Sequence, residues 1–94
     1  MTIQERCKRY LDMTSDALKL VKIAPSKESF LSKAATDFMD MCSNYLNDAT
    51  FFYEKGDFEN SLAASSYAYA WLDAGVRLGI LSASGDYKRF TQYS

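Results

Sequence analysis

Lys55-Gly56-Asp57-Phe58 separates two long stretches whose apolar residues recur every three or four positions, and it reads as the corner between two helices. Glycine enters the left-handed backbone conformation that closes a helix without the Cβ clash other residues meet, and aspartate accepts from the free N–H groups of the helix that follows. Upstream, Leu31, Ala34 or Ala35, Phe38, Met41 or Cys42, Tyr45, Ala49 and Phe52 form one stripe, with Asp37, Asp40, Ser43, Asn44 and Asn47 on the other side. This predicts a helix over about 26–55, capped by Ser26 with Glu28 in its first turn. At about 1.5 Å per residue it reaches roughly 40 Å and serves as the spine of the domain. Downstream, the pattern predicts a helix over 58–79 that ends at Gly79.

Further from the corner, Ile3, Cys7, Tyr10, Ala17 or Leu18, and Val21 predict a first helix over about 2–22. Pro25 has no N–H to donate and disfavours helix at Ala24, so the chain turns there. No strand pattern competes. The expected architecture is all-α: an antiparallel up-and-down three-helix bundle over 1–80, its long central helix packed against both others. Residues 81–94 are read as a short tail whose Tyr87, Phe90 and Tyr93 could pack back on the bundle.

The third helix carries two apolar stripes instead of one. Phe58, Leu62, Ser65, Tyr69, Leu72 and Val76 form the first; Ala64, Tyr67, Trp71, Ala74 or Gly75, and Leu78 form the second. A helix of a monomeric three-helix bundle needs only one such face, so something must cover the second. Tyr67 and Trp71 lead the candidates for contact, because Tyr and Trp bury large areas while keeping a polar tip. Leu78, Ala64 and Ala74 complete the expected interface, flanked by an Asp73–Arg77 ion pair one helical turn long. The tail aromatics are the competing cover.

The chain has 94 residues, 48% of them hydrophobic, which suits one ordinary globular domain and leaves no room for a second. Histidine is absent, and with it every Ser-His-Asp or Cys-His nucleophile pair and every His-containing zinc motif. Eleven basic residues stand against 12 acidic ones, so no charge excess draws the protein to nucleic acid, and the aromatic region from Phe51 to Trp71 is acidic where base stacking needs a basic groove. Arg6, Lys8, Arg9, Lys19 and Lys22 make the first segment basic and Asp37, Asp40, Asp48, Glu54, Asp57 and Glu59 the middle acidic, which suggests attraction between neighbouring helices. No apolar run approaches membrane-spanning length and no leader is visible, so a cytoplasmic protein is expected.

Cys7 and Cys42 lie at similar distances from Pro25 and so fall at one level of an antiparallel hairpin. Two buried free thiols are expected there, although a disulfide is geometrically conceivable. Asp37, Asp40 and Asp48 are a weak alternative metal site, joined by Asp73 in a hydrolytic reading; a solvated helix face accounts for them more simply. No cofactor is implied.

The stretch from Phe52 to Ala68 looks like the turn and second helix of a tetratricopeptide repeat, but it occurs once, which favours a generic helix corner. A closer likeness appears when Asp48-Ala49, Glu54-Lys55-Gly56-Asp57 and the run Tyr67-Ala68-Tyr69-Ala70-Trp71-Leu72-Asp73-Ala74-Gly75-Val76-Arg77-Leu78-Gly79 are read together. This combination resembles the small archaeal all-helical family known as domain of unknown function 357, most strongly from Tyr45 to Leu81. Ser61 and Ala70 depart from it, where Ala and Gly are expected; both are small. The resemblance implies an up-and-down three-helix bundle and an archaeal cytoplasmic origin, and it brings no catalytic residue or ligand. The expected function is therefore a non-enzymatic interaction module that binds itself, as a homodimer, or another protein, and neither nucleic acid nor membrane.

Overall fold

The computed structural model describes residues 1–24 and 29–83. Three helices, α1 (Ile3–Leu20), α2 (Phe30–Glu54) and α3 (Phe58–Leu78), pack as an all-α antiparallel bundle, joined by a two-residue pairing of β1 (Lys22–Ile23) with β2 (Leu81–Ser82). The α2–α3 corner follows from its chemistry. Gly56 sits at φ 79°, its N–H donating to the Tyr53 carbonyl and that of Asp57 to the Phe52 carbonyl, the paired bonds of a Schellman close. Asp57 then caps α3, its carboxylate accepting from the Asn60 N–H at 3.3 Å.

The other ends differ from expectation in instructive ways. α2 begins at Phe30 and its cap is Ser29, whose hydroxyl accepts from the Ser32 N–H at 3.0 Å while Ser32 Oγ accepts from the Ser29 N–H at 3.1 Å. Ser26 and Glu28, expected at that cap, lie outside the described residues. α1 begins near the expected start, on a Thr2–Glu5 capping box that the sequence reading did not name, but stops at Leu20. The next residues leave the helix to pair antiparallel with the chain after Gly79, Lys22 opposite Ser82 and Ile23 opposite Leu81. The packed part extends past residue 80 as well: Leu81 and Ala83 are buried.

α2 and α3 meet along small residues. Ala35, Cys42 and Ala49, seven apart on α2, are fully buried, and so on α3 are Ser61, Ser65 and Ala68, with Gly75 also buried. Their size lets the backbones approach closely enough for Ser61 Oγ to donate to the Ala49 carbonyl at 2.6 Å. The register then steps along the pair as Tyr53–Phe58, Tyr45–Tyr67 and Phe38–Trp71, with ring centroids 5.2, 4.4 and 5.0 Å apart. α3 contacts both other helices more extensively than α2 contacts α1, so α3 is the shared element, a place the sequence reading assigned to α2. On α1 the buried residues are Cys7, Leu11, Met13, Thr14 and Ala17, while Ile3, expected on the stripe, is exposed.

Cys7 and Cys42 are both buried and free, and they belong to different clusters: Cys7 with Leu11 and Ala49 near the corner, Cys42 with Met13, Ala17 and Leu72 in the main core. The expected common level assumed a hairpin centred on Pro25. The helix ends, Leu20 and Phe30, are still symmetric about position 25, but α1 packs mainly on α3, so its level against α2 is not set by distance from the turn, and Cys7 clusters with Ala49. The expected attraction between basic and acidic helices is not realised as ion pairs. Among the described residues both pairs, Lys8–Asp12 at 2.8 Å and Asp73–Arg77 at 2.9 Å, lie within one helix. Solvent screens both, so neither pair contributes much to stability; the hydrogen bond that Lys8 Nζ donates to the Asp12 carboxylate raises the Lys8 pKa above its ordinary value.

Thr14 is fully buried and its Oγ1 has no hydrogen-bond partner among the described residues. An unpaired hydroxyl in a core is unfavourable, and valine has nearly the same outline, so Thr14→Val should stabilise the protein by about 1 kcal/mol. A denaturant midpoint below that of the parent would refute this.

Candidate functional site

The second stripe of α3 is where exposed apolar surface gathers. Tyr67 is 49% exposed and Leu78 67%, whereas Ala64, Trp71 and Ala74 are half-buried. The partial cover comes from α2: the Trp71 ring stands edge-on to Phe38, and Tyr67 packs edge-on against Tyr45 and at 6.2 Å from Trp71. α2 therefore lies between the two stripes and covers one edge of the second. The Trp71 indole N–H is buried with no hydrogen-bond partner among the described residues.

What remains open is a groove of about 230 Å³ lined by Phe38, Tyr67, Ala70, Trp71 and Ala74. It follows the α2–α3 seam on the side away from α1, since α1 faces α2 across Leu46, Asn47, Thr50 and Tyr53. Ala70 and Ala74 keep its floor low, and the aromatic rings form its walls. Phe38 and Ala70 were missed by the sequence reading as groove residues. Phe38 was placed on the core seam, although its row at 38, 45 and 52 runs beside the buried row at 35, 42 and 49, a spacing visible in the sequence. Asp73 and Arg77 form the expected ion pair next to the groove, the aspartate side chain 21% exposed. Tyr87, Phe90 and Tyr93, the competing cover, lie outside the described residues.

The other candidates give no chemistry. Asp37, Asp40 and Asp48 are all exposed, and among the described residues no three potential ligands gather where they could hold a metal ion. Burial pushes the Cys42 thiol up to about 12, which is the reverse of nucleophile activation. Among the described residues no helix is long and apolar enough to cross a membrane.

The sequence model of the family described as "Protein of unknown function (DUF357)" matches residues 9–81. The chain belongs to this family. The DUF357 match takes in both walls of the groove, at Phe38 and at 67–74, and ends at Leu81, the residue seated on Gly75. No curated protein and no solved structure gives a significant match to the chain.

Proposed function

We propose that this protein is a non-enzymatic interaction module whose docking surface is the α2–α3 face around Tyr67, Trp71 and Leu78, taking another protein or a second copy of itself. The observation that carries this reading is the apolar groove beside Trp71, continued outward by the exposed Tyr67 and Leu78. Apolar concavities rimmed by tyrosine and tryptophan are where interface energy concentrates. A non-enzymatic role is supported by the lack of any histidine and by the inert, buried setting of both thiols. Cytoplasmic residence is part of the same reading, consistent with free cysteines.

Light scattering on a size-exclusion column tests the self-association arm directly. Ala70 is exposed on the groove floor, so Ala70→Glu should leave the bundle folded and fill the groove with charge. If the parent is a dimer, the variant is expected to be a folded monomer. A dimer that survives Ala70→Glu unchanged would rule out this face as its interface.

A further inference from the structure

We propose that Tyr45 and Tyr67 form an oxidative cross-link site, a pair that a one-electron oxidant converts into a covalent dityrosine tying α2 to α3. Theirs is the one ring contact between two tyrosines among the described residues, with centroids 4.4 Å apart and planes at 80°. In this edge-to-face arrangement the rim of one ring lies against the face of the other, and the ring torsion of tyrosine is broad, so ring carbons of the two meet after a small rotation. The backbones behind them are held by the tight α2–α3 seam, where Ser61 Oγ donates to the Ala49 carbonyl at 2.6 Å. Groups held in contact in this way react as if each were present at a far higher concentration than in free solution. Access is provided as well: Tyr67 is 49% exposed and lines the open groove, so small oxidants reach it and its proton leaves to water.

The chemistry balances within the pair. Each phenol gives up one electron to the oxidant and one proton to water, the two carbons ortho to the oxygens join, and the displaced ring hydrogens return to the oxygens. Two equivalents of oxidant, of the class of carbonate or peroxide-derived radicals, are reduced, and the chain loses two hydrogens. The competing groups are poorly placed. Both thiols are buried, and burial pushes that of Cys42 up to about 12, so it offers no thiolate to intercept the oxidant at neutral pH. Tyr53 meets Phe58, which lacks a hydroxyl and cannot couple. Trp71, the other oxidisable ring of the groove, stands 6.2 Å from Tyr67, close enough to pass an electron hole on to it. The product closes a covalent ring of roughly twenty residues through the Gly56 corner, and it fixes Tyr67, one wall of the groove, against α2.

The test oxidises the full chain in dilute solution with photogenerated tris(bipyridyl)ruthenium(III) and persulfate. The expected product is a single chain two hydrogens lighter, with dityrosine fluorescence, formed by the parent and equally by Tyr53→Phe. Tyr45→Phe and Tyr67→Phe keep the ring and lose the phenol, and each should cut the yield about tenfold or more, with far-UV circular dichroism showing both variants folded. The cross-linked chain should also melt about 10 °C above the parent, because the closed ring restricts the unfolded chain. Dityrosine that is undiminished in either of these two variants, or that forms only between two chains, overturns the assignment. So does a parent in which Trp71 is oxidised without coupling. A cross-linked chain that melts below the parent overturns it too, since the rings must then leave their native contact to join.

Discussion

Gly75→Ala is expected to lower the stability of the bundle by about 1–2 kcal/mol, even though alanine is favoured over glycine inside a helix by about 1 kcal/mol. A Cβ at position 75 would stand 2.8 Å from Leu81 Cγ and closer still to its Cδ1. Leu81 is 3% exposed and belongs to the main core with Ala17, Val21 and Ala35, so it cannot swing out without surrendering its burial. It also sits in β2, opposite Ile23, so moving it disturbs the pairing that holds the ends of α1 and α3 together. Leu81→Ala alone should cost about 2–4 kcal/mol through lost burial and the cavity left behind. The double variant is the decisive member of the series. With the leucine truncated, the alanine at 75 meets no obstacle, so Gly75→Ala in that background should be neutral or stabilising. Denaturant titration of the four proteins gives the coupling; strict additivity would mean that Leu81 does not rest on Gly75.

That contact also marks where reading the sequence runs out. The corner at Gly56 and Asp57 was legible because its chemistry is local: one residue tolerates positive φ, the next accepts from N–H groups three residues on. The end of α1 was not, because the choice between helix and extended chain for Val21 to Ile23 is made by residues 80–82, some sixty positions away. At the start of α2 the cap is Ser29, held by its reciprocal bonds with Ser32, a pairing the sequence reading did not name. Cys7 lies away from Cys42 because α1 packs mainly on α3, which spacing about the turn does not reveal.

The groove was half legible. Tyr67 and Trp71 stand out as large apolar residues off the main seam of α3, so a second face was evident from α3 alone. Its other wall was not, since periodicity says that Phe38 and Tyr45 are apolar without saying which neighbour they meet. The small residues decide this. Ala35, Cys42 and Ala49 against Ser61, Ala68 and Gly75 draw α2 and α3 together, and close approach is what brings Phe38 onto Trp71. The same closeness leaves Tyr67 and Leu78 with no helix in front of them among the described residues. The docking face is thus a consequence of how tightly the hairpin closes.

The same tight seam sets the second large effect, a loss of stability in alkali that depends on Cys42. Its side chain is fully buried between α2 and α3, and burial pushes the thiol from an ordinary 9.0 up to about 12. A group whose folded pKa is raised favours the folded state as long as it is protonated in both states. The contribution is therefore complete below about pH 9, declines as the unfolded chain ionises, and is lost by about pH 12. Carried in full, the difference is worth on the order of 4 kcal/mol, a large part of what a domain this size possesses. Phenols and ammonium groups in general also ionise in alkali, so the parent curve alone is ambiguous. Cys42→Ala separates the contributions: at pH 7 it should be less stable than the parent by about 1 kcal/mol for the sulfur packing it forfeits, and above about pH 10 it should become the more stable of the two. Crossing stability-against-pH curves are the expected result. Curves that stay parallel to pH 11 would show that the thiol can ionise without leaving the seam, and the close packing of α2 on α3 would then need another explanation.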